Sequence, residues 1–315
     1  MKAVFLDLKS LDDLDLGGLA KACDSLDSYL MTEPDQVRKR IADAELVLVN
    51  KVVLSRDILE SANRLKLICV VATGTNNVDL QAAEALGIAV VNCRNYGTQS
   101  VVQHVLSMIL ALHTRLIDYQ QAVRRGDWQK APQFCLLDYP IRELAGKTLG
   151  IVGYGDLGRA VANVATALGM KVVVAERQGQ VCRAGRTPFE EVLATADVLT
   201  LHCPLSDETH HLIDAQALQS MKKEAFVINV ARGGIVDEAA LAQALREGQI
   251  AGAAADVLSV EPPAEGNPLL ANDLENLIVT PHCAWGSYEA RQTIVDQAVE
   301  NIMAFKAGGR LRRVV

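Results

Sequence analysis

A chain of 315 residues exceeds what one hydrophobic core usually supports, so its length implies two domains. Half of it is apolar and 22% is charged, as in soluble globular proteins, and a net charge of -7 argues against a nucleic-acid partner, which calls for a broad basic field. The seven cysteines (Cys23, Cys69, Cys93, Cys135, Cys182, Cys203 and Cys283) form no CxxC or Cys/His ligand spacing, which points to a reducing compartment and to no metal site.

The opening "MKAVFLDLKS" carries Asp7 where a signal peptide would be apolar. No apolar run approaches the roughly eighteen residues of a membrane span, so a cytoplasmic protein with no membrane partner is expected. In the first hundred residues four apolar runs, "AVFLDL", "LVLVN", "LKLICVV" and "IAVVN", alternate with charged, helix-forming stretches. Continuous apolar strands of this kind indicate a parallel sheet covered on both faces, hence a small doubly wound α/β domain. From Gln99 to about Arg125 the pattern predicts one long helix, apolar on most of its circumference and suited to burial between two domains. His104 and His113 on it read as packed or surface histidines. An irregular stretch, "GDWQKAPQFCLLDYPIREL", follows.

The pattern then restarts. "KTLGIVGYGDLGRAVANVATALGMKVVVAERQ", "ADVLTLHCPL", "AFVINVARGG", "IAGAAADVL" and "LIVTPHCAW" supply five apolar strands of a second parallel sheet. "VDEAALAQALREG" reads as a helix ending on glycine, and "SYEARQTIVDQAVENIMAFKAGG" as a final amphipathic helix that returns to the first domain. The expected domains are therefore 1–98 with 286–315, discontinuous, and 99–285.

"GYGDLG" stands between a strand and a helix, the context in which GxGxxG binds a dinucleotide. Gly153 allows the tight turn, Gly155 admits the pyrophosphate to the backbone, and Gly158 lets helix and strand pack closely. Glu176, at the end of the next strand, suits a ribose 2′-hydroxyl and repels a 2′-phosphate, favouring NAD(H). Arg177, Arg183 and Arg186 nearby keep NADP(H) open.

The other polar candidates share one position. Cys203 and Pro204, Arg232, Asp256 with Glu261, and His282 each follow a strand, at the carboxyl edge where open α/β sheets bind ligands. An arginine fork matches a carboxylate, histidine exchanges protons near neutrality, and a carboxylate on its second nitrogen orients the ring. With a nicotinamide, these groups suit interconversion of 2-hydroxy and 2-oxo acids.

The segments "ATGTNNVDL", "GIVGYGDLG", "LHCPLSDET", "NVARGGIVDEAAL", "GAAADVLSVEPP" and "TPHCAW" resemble, in order and along essentially the whole chain, the D-isomer-specific 2-hydroxyacid dehydrogenases. The resemblance implies a Rossmann cofactor domain, a smaller flavodoxin-like substrate domain and a homodimer. It makes Arg232, Glu261 and His282 catalytic, and Thr73, Gly74 and Thr75 the substrate-carboxylate loop, with Thr73 also near the cofactor. It sets Asp156 and Leu157 at the pyrophosphate, Glu176 and Arg177 at the ribose, and Cys203 and Pro204 near the adenosine. Val230, Ala231, Arg232 and His282 line the cofactor, and Asp256 lies near the nicotinamide carboxamide. Within the family, "GTNNVDL", "SVVQH", "NPLL" and "TPHCAWGSYEARQ" look most like glycerate dehydrogenases, or hydroxypyruvate reductases, with glyoxylate as another small acid; Trp285 is a substrate-pocket candidate and, equally, a structural wedge. Two alternatives stay open: an NAD(H)-sensing corepressor, although no low-complexity tail is present, and a phosphite-type dehydrogenase.

Overall fold

The computed structural model describes residues 1–315, which divide into two compact units, Met1–Gly97 with Gly286–Val315 and Thr98–Trp285. The first unit holds strands β1 (Lys2–Phe5), β2 (Ser25–Ser28), β3 (Leu46–Val49), β4 (Leu67–Val70) and β5 (Ala89–Val91). All pair in parallel in the order β2-β1-β3-β4-β5, the flavodoxin-like order. Helices α1 (Gly17–Ala22), α2 (Val37–Ile41), α3 (Arg56–Glu60) and α4 (Leu80–Ala85) connect them. Val47, Val49, Ile68 and Val70 are fully buried in its core. The sequence pattern missed β2, "SLDS", because an edge strand with mostly exposed residues carries no apolar run.

The second unit starts with α5 (Thr98–Thr114) and α6 (Leu116–Arg125). The single helix expected there is broken: Arg115 adopts a left-handed conformation (φ 53°, ψ 36°), and the two axes diverge by 59°. Val105, Ile109 and Leu112 keep α5 in the core, whereas α6 buries only Ala122, so the polar segment turns away once the apolar face ends. No single helix is long and apolar enough to cross a membrane.

Strands β6 (Thr148–Val152), β7 (Lys171–Val174), β8 (Val198–Leu201), β9 (Phe226–Asn229), β10 (Gly252–Ala255) and β11 (Leu277–Val279) form a parallel sheet ordered β7-β6-β8-β9-β10-β11. There are six strands instead of five because the first apolar segment holds both β6 and β7. Thr187 adds one parallel bridge beside β7, at Ala175, so the full order is that of a dinucleotide-binding fold whose third strand has shrunk to a single residue pair. Helices α7 (Asp156–Ala167), α8 (Phe189–Thr195), α9 (Ala215–Ser220) and α10 (Glu238–Arg246) complete this unit, with α5 packed on α7, β9 and β10. The last helix, α11 (Tyr288–Lys306), is capped by the Ser287 hydroxyl, which accepts from the Ala290 amide at 3.2 Å; it lies on α1 and β4 of the first unit.

Candidate active site

The order of the second sheet reverses between β6 and β8, and the glycine turn sits at that switch point. Gly153 has φ 93°, and a Cβ there would lie 2.5 Å from the Cys203 backbone nitrogen, so neither the turn nor its packing tolerates a side chain. A Cβ on Gly158 would come within 2.2 Å of the Gly153 carbonyl oxygen, which is how tightly α7 meets the turn. Gly155 caps α7, and the space where its Cβ would stand is open to 4 Å. Asp156 and Leu157 form the first helical turn, whose unpaired amides make a cradle for a phosphate group.

Glu176, two residues past the end of β7, has only 3% of its surface exposed. Both of its oxygens are engaged within the chain. Arg183 donates Nε to Oε2 at 2.7 Å and Nη2 to Oε1 at 2.5 Å, and the Arg177 amide donates to Oε1 at 2.9 Å. The Arg183 fork holds the Glu176 carboxyl down at about 2. The Arg186 guanidinium lies 5.2 Å from the centre of the Tyr154 ring, so the basic groups are gathered at this corner. Beyond β8, Cys203 is half-buried, and the Thr209 hydroxyl holds the Pro204 carbonyl at 2.7 Å. The His202 side chain bonds Thr200 through Nε2 at 3.0 Å, while its buried Nδ1 has no partner, and burial pushes its pKa down to about 4. Val230 and Ala231, each 9% exposed, close the end of β9.

The next three strands, adjacent in the sheet, lead to Arg232, Glu261 and His282. Arg232 is exposed just past β9, where its backbone is fixed by the Asn229 side chain, which donates to the Arg232 carbonyl at 2.8 Å and accepts from the Ala231 amide at 3.1 Å. A Cβ on Gly233 would meet the Leu258 carbonyl carbon at 2.0 Å, so the arginine turn is pressed backbone to backbone on the turn that leads to Glu261. Glu261 Oε1 accepts from the Leu258 amide at 2.8 Å, and Oε2 stands 2.6 Å from His282 Nδ1. The His282 side chain is 32% exposed and that of Glu261 33%. With Nδ1 taken, Nε2 is the ring nitrogen left for a substrate.

His282 itself has φ 52°, and its amide donates to the Asp256 carbonyl at 2.8 Å. The buried Asp256 side chain accepts from the Thr280 hydroxyl at 2.6 Å and from the Cys283 and Ala284 amides at 2.9 and 2.8 Å. Its carboxylate thus suspends the histidine loop. Trp285 Nε1 donates to the His282 carbonyl at 3.0 Å while its ring packs on the core. In the first unit, Thr73, Gly74 and Thr75 follow β4, and Asn92 Nδ2 donates to the Thr73 carbonyl at 2.7 Å.

Residues 106–284 match the NAD binding domain of the D-isomer specific 2-hydroxyacid dehydrogenases. The chain belongs to this family. A glycerate dehydrogenase of Methylorubrum extorquens is 48% identical over 98% of this chain and 96% of its own. A hydroxypyruvate reductase of Blautia hydrogenotrophica is 37% identical over 98% of each chain. Among solved structures, a D-lactate dehydrogenase from Aquifex aeolicus, complexed with NAD and lactic acid, superposes with a TM-score of 0.79 at 29% identity, over 97% of this chain and 96% of that one. This 2-hydroxyacid dehydrogenase is therefore an NAD-linked oxidoreductase whose second unit carries the cofactor site.

Sequence reasoning missed three contacts around the candidate site, two of them made by residues it had named, His104 and Arg183. His104 on α5 reaches Thr280 Oγ1 at 3.0 Å, beneath the histidine loop. Glu238, 9% exposed, accepts from the Ser259 amide and hydroxyl and from Asn267, bracing the turn before Glu261. Arg183 locks Glu176. None has a sequence signal, because each acts on a partner brought close only by folding.

Proposed function

We propose that this dehydrogenase interconverts D-glycerate and hydroxypyruvate, with glyoxylate as a second oxo acid and NADH as the preferred cofactor over NADPH. The observation that carries the reading is the 2.6 Å His282–Glu261 pair at a strand end, neighbouring the strand that presents Arg232, in a chain 48% identical to a glycerate dehydrogenase. Bound NADH supplies the hydride. The open cradle at Gly155 with the helix N-terminus behind it fits the pyrophosphate, and the corner at Glu176 and Arg177 fits the adenosine ribose. His282, held through Nδ1, gives a proton from Nε2 to the carbonyl oxygen during reduction and takes it back during oxidation. Arg232 holds the carboxylate and polarises the adjacent carbonyl. Thr73, Gly74 and Thr75 keep the carboxylate-binding role that the family resemblance implies, in a substrate domain of residues 1–98 with 286–315.

The working form is a cytoplasmic homodimer. Trp128, Phe134, Leu137 and Ile141 are 51%, 89%, 65% and 55% exposed on one stretch of the second unit, which suits burial against a second copy. The test is NADH oxidation by purified protein against a panel of 2-oxo acids. Hydroxypyruvate is expected to give the highest kcat/KM with glyoxylate next; a clear preference for pyruvate or a branched oxo acid overturns the assignment.

A further inference from the structure

Three groups that the proposed reaction does not use as acids or bases converge directly beneath the His282 loop. His104 Nε2, from α5, lies 3.6 Å from Asp256 Oδ1. These two and the Cys283 thiol place their ligand atoms within 4.8 Å of one another. Thr280 Oγ1 sits among them, 2.6 Å from Asp256 Oδ1 and 3.0 Å from His104 Nε2. Asp256 is 1% exposed and His104 half-buried, whereas Cys283 faces solvent, so the cluster has a closed floor and an open mouth.

We propose that His104, Asp256 and Cys283 form a binding site for a zinc-class divalent cation that lowers the enzyme's turnover. A tetrahedral ion with N, O and S ligands at about 2.0 to 2.3 Å needs its ligand atoms roughly 3.3 to 3.6 Å apart. The His104–Asp256 spacing already meets that, and the exposed Cys283 side chain needs about one ångström of movement, within reach of a rotation about a single bond. Thiolate, imidazole and carboxylate select zinc or cobalt over magnesium or calcium, which prefer all-oxygen sites. Three protein ligands with a water on the solvent side complete the coordination. As the sulfur–metal bond forms, the thiol proton leaves to solvent and no electrons change hands.

The effect on turnover follows from what Asp256 already holds. Its Oδ1 accepts from both the Thr280 hydroxyl and the Cys283 amide. A cation that takes Oδ1 withdraws it from those bonds, and the loop carrying His282 moves with them. Sequence spacing hides the site, since its members come from α5, the end of β10 and the loop after β11.

Cobalt(II), titrated into the NADH-bound protein, is the spectroscopic probe. A thiolate-to-cobalt absorption band saturating at one ion per chain is expected, absent in Cys283→Ser and retained in Cys182→Ser and Cys135→Ser. In the turnover assay zinc is expected to lower kcat by roughly tenfold to a hundredfold, the scale on which small misplacements of a catalytic group act. Cys283→Ser should keep a near-parental basal rate and lose that inhibition, and His104→Gln, whatever its basal rate, should lose the inhibition as well. A cobalt band that survives Cys283→Ser, or zinc inhibition as strong in that variant as in the parent, overturns the proposal. The inhibition rests on the dehydrogenase reading, whereas the cobalt band does not, so a band in a protein that turns over no oxo acid fails only that reading.

Discussion

Replacing Glu261 with Gln tests the proton-carrier role with little change of shape. The carboxylate accepts two bonds, from the Leu258 amide at 2.8 Å and from His282 Nδ1 at 2.6 Å. A carboxamide has one acceptor and one donor end, so it cannot satisfy both N–H groups. If its oxygen faces Leu258, its NH2 group faces the ring and forces the tautomer with an unprotonated Nδ1; if reversed, two donors meet at Leu258. A hydrogen bond to a charged group contributes about 1.5–3 kcal/mol. Because the two side chains are 32% and 33% exposed, the lower half of that range applies, about 1.5–2 kcal/mol. At 1.36 kcal/mol per decade, kcat should fall roughly 10- to 30-fold. His282→Ala sets the ceiling, on the order of a hundredfold or more, the usual scale for a positioned acid. Steady-state reduction with NADH fluorescence titration separates the contributions, with cofactor affinity expected to stay within about twofold. The reasoning is refuted by a Glu261→Gln enzyme with unchanged kcat, or by a loss confined to NADH binding.

Arg232→Ala should raise the oxo-acid KM and lower kcat together while sparing NADH affinity; a collapse in NADH binding with an unmoved KM would assign the residue to the cofactor instead. Arg183→Ala frees Glu176 from its fork and should raise the NADH-to-NADPH ratio of kcat/KM by roughly tenfold, one charge-assisted contact; an unchanged ratio shows that Arg183 has no part in cofactor choice. His202, held at about 4 against 6.5 for the free side chain, takes up its proton in the unfolded chain first. Between those values the unfolded state binds more protons, so stability falls as pH drops through that window, by about 3 kcal/mol at its foot. Denaturant melts from pH 7.5 to 4 should show His202→Gln with a flatter profile than the parent, and parallel profiles would refute the assignment.

The strands and the carboxyl-edge placement of Arg232, Glu261 and His282 were legible because apolar runs report buried strands and because each candidate directly follows one. What escaped the sequence depends on context. β2 is an edge strand that faces solvent, so "SLDS" has no reason to be apolar. The break at Arg115 is set by where the apolar face of α5 ends, and arginine is not a usual residue for a left-handed turn. The Arg183 fork on Glu176 spans a loop of no regular pattern, and the suspension of the histidine loop on Asp256 joins β10 to β11. Such bonds specify geometry without leaving any periodicity behind.

The shrunken third strand has an evolutionary consequence. Arg177, Arg183 and Arg186 all belong to a segment anchored to the sheet by one bridge, Ala175 to Thr187. Insertions or exchanges there leave the six strands and their core untouched. Preference between the two nicotinamide cofactors can therefore drift, or be engineered, as a module separate from both foldability and catalysis.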